Sequence, residues 1–231
     1  MSPELEAEWQ ARPHHQGRAF VSDGIIDESR WRSAPRRVLF LLKEAYDSRP
    51  QPIGFDLRQF IRDRRNQGGM TWARVGQWSS LLHRAEPGFT PEFPNAEDSR
   101  TAPLSVAVVN IKKSGGSTRS TRDDIFRYAA TDAELLRRQI AQIKPDVIIA
   151  GGTWEAASVL FPEREKISSR FHRMDIAPCV NFWHPAAQAH NKLLYFALAG
   201  ILNAAESAKP GVLPAIRPGG SSTQTPPPLP S

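Results

Sequence analysis

Three runs in the middle of the chain are apolar at every position. Val38–Leu42, Val106–Val109 and Val147–Ala150 are each flanked by charged, polar or glycine residues, and a weaker run covers Cys179–Phe182. Unbroken apolar runs of this length suit strands buried on both faces, as in a parallel sheet covered by helices. The intervals follow the helical period: Leu57–Arg64, Thr71–Leu82, Asp132–Ile143, Thr153–Leu160 and Ala187–Ala205 place apolar residues at three-to-four spacing. Thr131-Asp132 and Thr153 stand where N-terminal caps are wanted, with Glu134 and Glu155 in the first turns. Strand alternating with helix predicts an α/β fold, a three-layer α/β/α arrangement around a central, mostly parallel four-stranded sheet.

The ends of the chain break this pattern. Residues 1–34 read as an N-terminal extension with one short helix over Glu4–Ala11, and residues 35–208 as the α/β domain. Residues 209–231 hold seven of the 20 prolines and a Gly219-Gly220-Ser221-Ser222 run, so a disordered tail is expected.

Composition narrows the classes. With 40% apolar and 23% charged residues the 231-residue chain has the makeup of a soluble globular protein. Its most apolar stretch, Leu193–Ala205, falls short of the roughly 18 residues a bilayer requires, so no membrane partner is expected. No secretory signal is visible at the N-terminus. A single cysteine, Cys179, excludes an internal disulfide and any multi-cysteine metal site, and a reducing, cytoplasmic setting is expected. Thirty Lys and Arg against 24 Asp and Glu give a net charge of +6, a modest lean toward an anionic partner such as DNA.

In open parallel sheets ligands sit beyond the carboxyl ends of the strands. After the first run comes Lys43-Glu44-Ala45-Tyr46-Asp47, with Phe55 beyond it; after the second, Asn110-Ile111-Lys112-Lys113; after the third, Gly151-Gly152; after the fourth, Trp183-His184-Pro185. A carboxylate, an amide, an aromatic and an imidazole therefore converge on one sheet edge. Gly151-Gly152 lacks both the G-x-G-x-x-G spacing and a P-loop lysine, so no nucleotide cofactor is expected. His14-His15 lie in the extension, and no His, Asp or Glu group shows ligand spacing, so neither a metal nor another cofactor is expected.

These motifs, in this order over residues 35–205, resemble the uracil-DNA glycosylase superfamily. In its best-known branch the first strand is followed by G-Q-D-P-Y-H, the second by a base-reading Asn and the last by H-P-S-P-L-S. The resemblance implies Glu44 and His184 as catalytic residues, with Asn110 reading the base, Tyr46 guarding the pyrimidine C5 position and Phe55 stacking on the extruded base. Gln188 stands where a DNA wedge is expected, and Lys112, Lys113, Arg119 and Arg122 would contact DNA. Leu42-Lys43 in place of Gly-Gln and Ala186-Ala187 in place of Ser-Pro mark a departure that leaves the base open: uracil, or a modified pyrimidine such as a hypermodified cytosine of phage DNA. The side chains suit the chemistry on their own terms. Breaking an N-glycosidic bond needs an anion beside the sugar and a donor beside the departing base. The expected activity is a monofunctional DNA glycosylase, in repair or anti-phage defence, working as a monomer. The alternatives are a non-catalytic DNA-binding module with the same fold, or an adaptor built around the proline-rich tail.

Overall fold

A computed structural model describes residues 1–46, 54–63, 66, 69–116 and 121–217. In chain order the strands are β1 (Val21–Ser22), β2 (Gly24–Ile25), β3 (Val38–Tyr46), β4 (Phe55–Asp56), β5 (Ala107–Gly116), β6 (Val147–Gly151), β7 (Arg164–Lys166), β8 (Phe171–Met174) and β9 (Pro178–Phe182). The helices are α1 (Pro3–Ala11), α2 (Glu28–Ser33), α3 (Leu57–Arg62), α4 (Met70–Arg84), α5 (Ala96–Thr101), α6 (Arg122–Thr131), α7 (Ala133–Ile143), α8 (Trp154–Leu160) and α9 (Asn191–Ala208).

The main sheet has seven strands in the order β2-β5-β3-β6-β9-β8-β7 rather than the four expected. It is mixed. β3 runs parallel to β5 and β6, and β6 to β9, whereas β2, β7 and β8 pair antiparallel at the edges. The added edge strands are short, and β7 is polar and exposed, so they carry no apolar run that a sequence reading detects. β1 and β4 form a separate parallel pair.

Alternation along β3 divides the interior. Val38, Phe40 and Leu42 join a core with α3, α4 and α9, built around Ile61, Trp78 and Leu198. Leu39 and Leu41 face the other way, toward α1, α6, α7 and α8, among Trp9, Tyr128, Ile140 and Leu160. Both faces of the strand are covered, which explains its unbroken apolar run.

The N-terminal segment is part of this fold and not an extension from it. Leu5 and Trp9 are fully buried, β2 is a strand of the main sheet, and Asp23 lies in the interior. The start of the presumed tail is also docked. Val212 is buried, Arg36 donates to the Pro214 carbonyl, and Arg217 pairs with Asp146. Residues 218–231, including the polyproline run, lie outside the described residues. Among the described residues no helix is long and apolar enough to cross a membrane.

Candidate functional site at the strand edge

Two of the motifs expected in loops are strand. β3 and β5 go on pairing beyond their apolar runs, with Leu42 opposite Asn110, Glu44 opposite Lys112 and Tyr46 opposite Gly116, across a register shift between Glu44 and Tyr46. Backbone pairing continues because both chains remain extended, and the charged side chains find partners across the ladder. Lys112 Nζ lies 2.7 Å from Glu44 Oε2 and 2.9 Å from Asp124 Oδ2 on α6, with the Glu44 side chain only 5% exposed. Burial opposes a charge on Lys112, but its hydrogen bonds to Glu44 and Asp124 outweigh that and raise its pKa.

This geometry corrects the expected DNA contacts. Lys112 is buried and its ammonium is held between two carboxylates. Lys113 is fully buried: its ammonium bonds both oxygens of Asp23 at 2.7 and 2.8 Å and lies over the Trp9 ring. Asp23 also accepts from the Asn110 backbone N–H and from Gln139, so these charges knit the N-terminal segment to the sheet. Arg122 is exposed and pairs with Glu155. Such a surface pair contributes only about 0–1 kcal/mol and can be exchanged for a phosphate. Arg119 and the Tyr46 side chain lie outside the described residues.

Asn110 is buried, and its Nδ2 has no hydrogen-bond partner among the described residues. An amide left unpaired in the interior costs about 1–3 kcal/mol, so it marks a place where the fold gives up stability. Phe55 sits on β4, its ring 5.9 Å from that of Phe60, and lines a groove with Phe20, Ser22 and Gly54.

The glycine pair makes the last motif possible. Gly152 has φ +67°, and a Cβ there would lie 3.2 Å from His184 Cβ and 3.6 Å from Lys43 Cε; a Cβ on Gly151 would meet Leu42 and Pro185. The two glycines thus let the His184-Pro185 turn close onto the end of β3. A phosphate loop is not needed to explain them.

His184 is polarised by its own turn. The Ala186 backbone N–H donates to its Nδ1 at 3.1 Å. A backbone N–H can only donate, so Nδ1 is bare and the ring proton sits on Nε2. Burial, helped by the Lys43 charge, lowers the pKa to about 4, and the ring is neutral at physiological pH. The turn thereby holds a neutral imidazole whose one donor is Nε2–H.

Arg74 on α4, a basic residue inside the Thr71–Leu82 periodic segment that sequence reading did not single out, holds that turn. It is buried, and its guanidinium donates to the carbonyls of Pro185, Ala187 and Ala189 and to Asn191 Oδ1. Gln188 is exposed on the loop so held, and Trp183 is 41% exposed with the Arg170 guanidinium 4.4 Å from its ring centre. Lys43 and Gly152 also line a cavity of about 290 Å³ with Phe126, Trp154 and Glu155. Comparison of the chain with protein-family models, curated proteins and solved structures finds no match.

Proposed function

We propose that the protein is a metal-independent DNA glycosylase that turns a pyrimidine out of the duplex and hydrolyses its N-glycosidic bond, leaving an abasic site. The observation that carries this reading is the His184 turn just beyond the end of β9, where the Ala186 N–H donates to Nδ1 and leaves the proton of the neutral ring on Nε2. As the C1′–N1 bond breaks, its electron pair moves onto the base, and the Nε2–H donates to the base oxygen where that charge accumulates. Water supplies hydroxide to C1′, and its remaining proton ends on the departing base. Glu44 orients the water and faces the positive charge developing on the sugar, which requires its carboxylate to be uncovered and drawn from its bridge to Lys112.

Asn110 offers a paired donor and acceptor for the base edge. Its amide is buried in this structure, so base reading requires Asn110 to become exposed. Trp183 beside His184 supplies an exposed ring for stacking, with Arg170 adding positive charge. The base is uracil or a C5-modified cytosine. The first is favoured by the order of motifs, the second by the altered residues that flank them.

A second reading has its own support. The Glu44–Lys112–Asp124 bridge ties β3, β5 and α6 together, and a carboxylate used in this way serves a non-catalytic DNA-binding module equally well. Incubation with DNA containing uracil or C5-modified cytosine separates the two. Base release abolished in Glu44→Gln and His184→Ala, with folding retained, supports the enzyme; tight binding of abasic or mismatched DNA without release supports the module.

A further inference from the structure

Away from the strand edge, two histidines and an aspartate meet where the N-terminal segment crosses the α6–α7 junction. His14 Nε2 lies 2.9 and 3.0 Å from the two oxygens of Asp132, and His15 Nε2 lies 3.0 Å from one of them. The donor atoms all fall within 4.8 Å of one another. Asp132 and His15 have side chains 0% and 1% exposed, whereas His14 is 30% exposed. Asp132 occupies the N-cap position of α7, yet its side chain makes no capping hydrogen bond. Aspartate there ordinarily accepts from the amides of the first turn. Here the carboxylate is turned to the imidazoles instead.

We propose that His14, His15 and Asp132 form a binding site for a divalent transition-metal ion, with zinc the best match. Imidazole nitrogen and carboxylate oxygen are the donors such ions take, and two histidines with one carboxylate leave a further coordination position open. Around a tetrahedral zinc with bonds of about 2.0–2.1 Å, neighbouring donors stand roughly 3.3 Å apart. The nitrogen–oxygen separations of 2.9–3.0 Å need to widen by only a few tenths of an ångström. On binding, each Nε2 offers its lone pair to the ion and the ring keeps its proton on Nδ1, so a neutral ring protonated at Nε2 shifts that proton to Nδ1 and a doubly protonated ring releases one.

The open position lies on the His14 side, where solvent reaches the cluster. A cavity of about 320 Å³ there is lined by His14, Arg18, Arg127 and Tyr128, among others. Two arginines favour an anion, such as phosphate or a carboxylate, as the fourth ligand. His15 Nδ1 is buried with no hydrogen-bond partner among the described residues. Metal-bound histidines normally donate that proton to a second acceptor, whose loss weakens binding 10- to 100-fold. Binding weaker by about that factor than at a fully supported site is expected.

The test uses the untagged full-length chain, stripped with a chelator and titrated with cobalt(II), then with zinc in competition. The expected result is a visible cobalt spectrum saturating at one equivalent, displaced by zinc, with a rise in melting temperature on zinc addition. His14→Gln alters the exposed ligand, so the fold is retained and the affinity falls at least about tenfold. Asp132→Asn removes the shared carboxylate and abolishes binding. If neither ion binds saturably below about 1 mM, or if folded His14→Gln binds with unchanged affinity, the cluster is only a hydrogen-bonded junction and the proposal fails. Neither outcome depends on glycosidic chemistry.

Discussion

Replacing Arg74 by methionine should loosen the turn that presents His184 while leaving the sheet in place. The side chain is 2% exposed and makes four bonds: to the carbonyls of Pro185, Ala187 and Ala189, and to Asn191 Oδ1. A hydrogen bond from a charged donor contributes about 1.5–3 kcal/mol, but the four share one group and do not add. Once released, the carbonyls on the exposed side of the loop regain water. A net loss of about 3 kcal/mol follows, because the acceptors that water cannot reach keep the penalty of about 1–3 kcal/mol for a buried group left unpaired. Methionine keeps most of the apolar stem, so lost packing adds little. Urea unfolding is the assay. With a slope of about 2 kcal/mol/M the midpoint should fall by roughly 1.5 M at unchanged slope. Hydrogen exchange should quicken across residues 183–191 more than in β3 or β6, and Arg74→Lys, with fewer directed donors, should fall between. A midpoint within about 0.3 M of the parent, with loop protection intact, would refute the clamp.

Two further predictions concern the same turn. Gly152→Ala should cost about 1–3 kcal/mol, part from the left-handed backbone and part from the 3.2 Å approach to His184 Cβ, and should move the His184 imidazole resonances; Gly211→Ala, at φ +75° with open space around it, should cost only the backbone share, about 1 kcal/mol. His83 and His184 both have pKa values lowered to about 4, His83 by burial and then by Arg36, His184 by burial and then by Lys43. In the unfolded chain these rings titrate near 6.5, so on acidification the unfolded state takes up protons first. Their contribution is whole above about pH 6.5 and is lost as the pH falls toward 4, by up to about 3 kcal/mol for each ring. Urea midpoints measured from pH 7 to 4 should show the decline, with His184→Asn flattening part of it; a pH-independent midpoint would contradict the lowered values.

Legibility in the sequence followed the range of the forces involved. Val38–Leu42 and Val147–Ala150 announced buried strands because burial on both faces demands an unbroken apolar run. His184-Pro185 at the end of β9 and Gly151-Gly152 at the end of β6 were visible as strand-end motifs. What the glycines do was not, because close approach of a distant turn leaves no local signature. Long-range pairing hid the rest. Lys113 looks like a loop charge until Asp23, 90 residues away, folds against it. Lys112 reads as a phosphate contact, yet Asp124 and Glu44 enclose it. His14 and His15 meet Asp132 across more than 100 residues, so no ligand spacing could reveal them. The N-terminal segment lacked a strong periodic signal, and Leu5 and Trp9 are buried through contacts with α7 and β5 that only the tertiary fold provides.

The most direct test of the central claim is base release. Labelled duplex and single-stranded DNA containing uracil, and matched DNA with C5-modified cytosines, are incubated with the protein and with Glu44→Gln and His184→Ala variants shown to be folded. Freed bases are then identified, and abasic sites are revealed by alkaline cleavage. The account predicts release of one class of pyrimidine by the parent, with at least a hundredfold loss in each variant, on the order of the contribution of one general base or one oxyanion donor. DNA binding with no base released from any substrate, or undiminished release by Glu44→Gln, would contradict it.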